Sequence, residues 1–198
     1  MLTGQLRSRL LDAPIRWFTI AAGVLALGVS GLFGGFDKVG EPPLPTVEVN
    51  QVHPDTPWNI TVHSVRVFNE LEPLRHKVEG SRWLVVVATV EVTADESLNQ
   101  VGRAVRIRGA EGVDTAEPVD VRRASDGQIV NYLHPNLPDR LGFFWEQRAS
   151  APMPTQLRVG LFGMRYERER ESRLLGWRWD PSVRAVLTVP VDDRRGPA

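Results

Sequence analysis

The chain has 198 residues, no cysteine, and 24 basic against 24 acidic side chains, for a formal net charge of zero. Without cysteine there is neither a disulfide framework nor a lipidated-cysteine anchor. Balanced charge leaves no electrostatic footprint for nucleic acid. Only Lys38 and Lys77 are lysines, an arginine bias that accords with a GC-rich bacterial genome.

Residues 1–16 carry Arg7, Arg9 and Arg16 and precede an uncharged run over 17–36. A helix of about twenty residues spans a hydrocarbon core of about 30 Å, so 17–36 is expected to be a transmembrane helix. The flanking arginines place the N-terminus in the cytoplasm and the rest of the chain outside. A cleaved signal ending near Val29-Ser30-Gly31 is the alternative, but the run continues through Leu32, Phe33 and Phe36, beyond the length of a signal core. Within the span, Ala22, Ala26 and Ser30 recur at every fourth position, and Gly31 and Gly35 form a GxxxG pair. These small residues share a face that either admits a partner helix or touches lipid. The segment 37–46, with Pro42, Pro43 and Pro45, reads as a semi-rigid spacer.

Over 47–192 the hydropathy switches to period two, in short runs separated by Gly, Pro, Asn and Asp. Strands are expected at 46–52, 58–68, 82–93, 103–108, 118–122, 141–147, 156–164 and 183–191, with a short tail over 193–198. In the second run the inner phase passes from Ile60 and Val62 to Val65 and Val67, which calls for a β-bulge near His63-Ser64. In the third, Leu84, Val86, Ala88, Val90 and Val92 share one face, while Trp83, Val85 and Val87 make the other apolar at one end. That end should be covered on both sides. The stretch 165–175 alternates Glu and Arg and reads as a hairpin extension or a polar turn. Eight short strands and no 3.6-period segment beyond the N-terminal span indicate an all-β, antiparallel sandwich.

The residues that could carry chemistry are sparse. His53, His63, His76 and His134 form no ligand-spaced pair, and solvated loop positions are expected for them. No serine lies in a nucleophile-elbow motif. Asp95-Glu96 and Asp192-Asp193 read as turn acids, and Gly109-Ala110-Glu111-Gly112 lacks the strand-to-helix setting of a phosphate loop. No catalytic, metal or cofactor site is expected, and the chain reads as a non-enzyme.

Two clusters suit binding. Leu133–Trp145 places a proline loop before Phe143, Phe144 and Trp145; Phe143 and Trp145 are expected in the core and Phe144, in the opposite phase, at the surface. Tyr166, Arg168, Arg170, Trp177 and Trp179 form an Arg/Trp-rich stretch, either a covered sheet edge or a contact surface of the residue types that dominate interfaces.

The order Trp58-Asn59-Ile60-Thr61-Val62, the long run Trp83–Thr93, Leu133-His134-Pro135-Asn136-Leu137 before Phe143-Phe144-Trp145-Glu146, then Leu157-Arg158-Val159 resembles telokin-like immunoglobulin-fold domains of Gram-positive surface proteins and lipoproteins. The likeness covers about residues 47–191 and departs from the family in lacking a lipidated cysteine. It implies an immunoglobulin-like sandwich with a binding or assembly role and no catalytic residues. The expectation is therefore an accessory subunit of a cell-envelope membrane complex in transport, secretion or wall assembly, partnered by another membrane protein. The alternative is an anchored module that binds cell-wall glycan.

Overall fold

The alternation of apolar and polar residues from Val52 to Asp193 is realised as strands, because a pleated backbone sends successive side chains to opposite faces. The structure, a computed structural model, describes residues 44–169 and 173–195. The expected membrane span with Ala22, Ala26, Ser30, Gly31 and Gly35, and Arg170 of the arginine-rich stretch, lie outside the described residues. Among those described, no helix is long and apolar enough to cross a membrane.

Eight strands follow in chain order: β1 (Val52–Pro54), β2 (Trp58–Phe68), β3 (Arg82–Val92), β4 (Val105–Arg108), β5 (Asp120–Arg123), β6 (Asp139–Gln147), β7 (Gln156–Arg168) and β8 (Leu175–Asp193). They pair in the order β4-β7-β8-β2-β3-β6-β5, with β1 added to β2. The long β8 joins two layers. It runs antiparallel to β7 from Leu175 to Pro190, then parallel to β2 through Val191–Asp193.

The layers face each other across one core. Trp58, Ile60, Val62, Val65 and Val67 of β2 and Leu84, Val86, Ala88, Val90 and Val92 of β3 meet Leu157, Val159 and Leu161 of β7 and Ala185, Leu187 and Val189 of β8. Each such side chain contributes roughly 1.5–3 kcal/mol when fully buried. The indole of Trp58 donates to the Phe162 carbonyl across the core at 2.9 Å, and that of Trp145 donates to the Ala116 carbonyl at 3.1 Å, so neither ring strands a donor. The β2–β3 register shifts between Val62 and Ser64. This is the expected bulge, with His63 as the extra residue. It lets the inner phase change while every core residue stays inside.

Two expectations need correction. No strand spans 46–52: Thr46 makes one isolated bridge to Val186, and β1 begins only at Val52. Asn50 lies in the left-handed region at φ 66°, and Gln51 turns back onto Glu48 through its amide and side chain, which ends an extended run. In the fourth run, a 3-10 turn over Val101–Arg103 replaces the first residues of the expected strand.

Phe144 is not at the surface. It is 6% exposed and joins Trp83, Val85 and Val87 in a second apolar cluster on the outer face of β3 and β6. Its ring meets Trp83 edge-on at 6.4 Å and lies across Gly142, where a Cβ would be 2.9 Å from the ring. Residues of the β2–β3 connection cover this cluster from outside, with Leu71 and Leu74 packed against it. The expected double coverage of β3 is thus present, and it takes in Phe144 as well. Phe143 and Trp145 fill the main core, as their phase requires.

Candidate functional site

The β7–β8 hairpin carries the densest set of aromatic and arginine side chains. β7 and β8 stay paired out to Arg168 and Leu175, so the described start of the 165–175 stretch, Arg165–Arg168, continues β7 as a hairpin extension. Register sets Met164 opposite Trp179, Tyr166 opposite Trp177, and Arg168 opposite Leu175. Directly opposed side chains of an antiparallel pair lie within contact, and Tyr166 accordingly meets Trp177 edge-on at 5.2 Å. Phe162, two residues before Met164 on the same strand, reaches Trp179 diagonally in a tilted contact at 5.5 Å. Arg106 of β4 lays its guanidinium 4.7 Å from the Phe162 ring centre and 4.8 Å from that of Trp179. Desolvated cation–π contacts of this kind contribute on the order of 1–2 kcal/mol.

Behind the rings the hairpin is braced by a buried carboxylate. Asp180 accepts from Arg165 Nε at 2.6 Å, from an Arg184 terminal nitrogen at 2.7 Å and from the Ser182 amide at 3.0 Å. Burial alone would push this carboxyl up. Hydrogen bonds from the Ser182 amide and hydroxyl and from Arg165, with the charge of Arg184, outweigh burial and hold it below the usual carboxylate range. Arg184 also faces Asp55 at 3.6 Å, next to His53. Burial lowers the His53 pKa, Asp55 partly restores it, and Arg184 lowers it again.

The four described candidate contact residues of this stretch part company here. Trp179 is half-buried between Phe162 and Arg106 and serves as structure. Arg168 donates to the carbonyl of Arg173 at 2.8 Å and closes its own turn. Tyr166, at 56% exposed, and the half-buried Trp177 face a groove of about 470 Å³ whose far wall is Thr93–Glu96. Leu174, just before β8, and Leu175, its first residue, are 68% and 56% exposed. The two leucines belong to the Arg/Trp-rich stretch that the sequence marks, whereas Arg106 and Phe162 were not singled out from the sequence. Arg106 comes from a strand some sixty residues away.

Three histidines are not solvated loop residues. His63 sits in the β2 bulge, its Nδ1 2.8 Å from Asn50 Oδ1 and its Nε2 2.8 Å from Thr89 Oγ1. His76 stacks on Trp83 at 4.8 Å, and His53 lies half-buried in β1. His134 is exposed beside Ser97. Among the described residues no three His, Asp or Glu side chains gather as a metal site would require. Glu146 accepts the amides of Lys77 and Val78 at 3.1 and 2.8 Å. Burial raises its pKa, but these bonds, Ser81 and His76 more than offset it. Its lone pairs are spent on holding the β2–β3 connection.

No protein-family model and no curated protein matches the chain. Two solved structures are similar to it. An uncharacterized β-sandwich protein from Clostridium difficile 630 is 10% identical with a TM-score of 0.48, over 76% of this chain and 97% of that one. A protein of Bacillus subtilis strain 168, provisionally named a lipoprotein, is 10% identical with a TM-score of 0.40, over 73% of this chain and 39% of that one. The fold class stands on the strand pairing itself: an all-β sandwich.

Proposed function

We propose that this is a non-enzymatic envelope protein, held in the membrane by residues 17–36 with its N-terminus in the cytoplasm. Its sandwich, read as immunoglobulin-like, lies outside and serves as an accessory subunit of a membrane complex in transport, secretion or wall assembly. One observation supports the docking role: Tyr166 of β7 and Leu175 at the start of β8 are both more than half exposed, on a hairpin braced by Arg106, Trp179 and Asp180. Rigid apolar anchors in water gain about 1.5–3 kcal/mol each when a partner covers them. Their support is pre-organised, so little ordering entropy is lost on binding. The test compares wild type with a Tyr166→Ser, Leu175→Asp double variant, both purified from native membranes in mild detergent. A stoichiometric membrane protein should accompany the wild type and fall about tenfold in the variant; equal recovery defeats the proposal.

A second reading is supported by the groove between Tyr166 and Trp177 on one side and Asp95 and Glu96 on the other. An aromatic face opposite hydrogen-bonding carboxylates suits a sugar polymer. Purified wall glycan would then shield tryptophan fluorescence from acrylamide, and Trp177→Ala would remove that shielding. Quenching that glycan leaves unchanged would eliminate this alternative.

A further inference from the structure

The outer face of β2, β3, β6 and β5 holds a pocket that the hairpin plays no part in. An outward sheet face normally carries polar residues, yet Trp83, Val85, Val87 and Phe144 are all buried there. Part of their cover is protein: Phe68, Leu71 and Leu74 pack over them. Between that cover and β5 a cavity of about 280 Å³ remains open to solvent, floored by Val85, Val87 and Phe144. Three arginines line it, Arg66, Arg122 and Arg123. Two are already engaged, since Arg122 pairs with Asp120 at 2.9 Å and Arg123 holds Asp139 through two bonds of 2.9 and 3.1 Å.

Arg66 differs. Its Nε is buried without a hydrogen-bond partner. A guanidinium donor removed from water without an acceptor is costly. An anion that enters the pocket and draws the guanidinium toward it would give that donor an acceptor and remove the cost. We infer that the pocket binds a single-chain aliphatic carboxylate, its chain on the Val85–Phe144 floor and its headgroup on Arg66. The apolar floor offers nothing to a free phosphate or a polyol. The volume lies just below the roughly 300–1,000 Å³ of ordinary small-molecule sites, so one short chain fits and a two-chain lipid does not. The planar fork of arginine matches a carboxylate in two parallel bonds. Glu72 also lines the cavity, but it is itself exposed and comes from the β2–β3 connection rather than from the sheet that carries Arg66.

The test uses the full chain in lipid nanodiscs and a diazirine-bearing decanoate, with cross-linked peptides mapped by mass spectrometry. Labelling should saturate, fall on the peptides holding Phe68–Leu74 and Val85–Val87, and be competed by decanoate at least tenfold better than by decanol. Arg66→Gln should weaken half-saturation about tenfold, the value of one charge-assisted hydrogen bond pair, while Arg66→Lys retains most of the binding. Equal competition by decanol overturns the inference on wild type alone, whatever the variants do. Labelling scattered over the surface, or unchanged by Arg66→Gln, overturns it too. Competition by a leucine-ended tetrapeptide but not by decanoate would reassign the pocket to a protein partner and equally overturn it. None of these outcomes bears on the hairpin.

Discussion

Gly163 shows how tightly single positions are specified in the hairpin. A Cβ there would lie 2.7 Å from the Thr56 carbonyl oxygen and collide with the Asp55 carboxylate. The neighbouring Met164 amide donates to that same carbonyl at 2.9 Å. The absent side chain therefore lets the β1–β2 turn approach β7 closely enough to bond it. Gly163→Ala must push the turn away or break the bond, and overpacking of this kind costs roughly 1–3 kcal/mol. Urea unfolding monitored by tryptophan fluorescence should show the midpoint falling with little change in slope. An unchanged midpoint would mean the turn yields freely. Gln147 works by satisfaction instead of absence. Its side-chain oxygen accepts from buried Arg82 at 2.8 Å, and its nitrogen donates to the Glu111 carbonyl at 2.7 Å, so a polar pair survives at the edge of the core without an orphaned donor.

At the scale of the element, the β2 bulge couples strand register to protonation. Asn50 Oδ1 can only accept, so His63 carries its proton on Nδ1, and in the neutral ring Nε2 accepts from the Thr89 hydroxyl. Burial, then the nearby charge of Arg140, lower the His63 pKa below its ordinary value. The unfolded chain thus binds more protons than the folded one as pH falls from about 6.5 toward the folded pKa. Stability conferred by the neutral ring is complete above that window and is lost on descending through it. Wild type should therefore melt lower at pH 5 than at pH 7.5, and His63→Gln should narrow the gap, as followed by thermal circular dichroism. The gap left in the variant belongs in part to His53, whose pKa is lowered as well. An identical gap in both proteins would show that the bulge is electrostatically silent.

At the scale of the described domain several pairings are non-local: β2 meets β8 across more than a hundred residues, and β3 meets β6 across roughly fifty to sixty-five. Three carboxylates anchor its far-apart parts in ionised form, Asp180 in the hairpin, Glu146 at the β2–β3 connection, and Asp193 at the end of β8. Asp193, bonded by the Arg195 side chain and amide, is lowered to about 2. Depressed folded values mean that the stabilisation is present above the unfolded carboxylate range near pH 4 and disappears as pH drops toward the folded values. Urea midpoints should hold between pH 5 and 7 apart from the histidine contribution, then fall steeply below pH 4. A flat profile down to pH 3 would show that these carboxylates are not linked to folding.

Much of this arrangement was legible in the residues alone. The period-two runs of β2, β3 and β6, the inner phase of β8 and the His63 bulge follow from pattern, because one buried face forces every second side chain inward. The uninterrupted run Trp83–Val87 likewise announced a doubly covered strand. What the sequence could not supply was the identity of the cover: Phe144 reads as outward-facing, and it is buried because the β2–β3 connection folds over that outer face. The ring ladder under Arg106, the brace around Asp180, and the lone guanidinium of Arg66 above an apolar floor depend on strands far apart in the chain. Periodicity reports which face of its own strand a side chain takes. Which distant element meets that face is decided only when the sheets assemble.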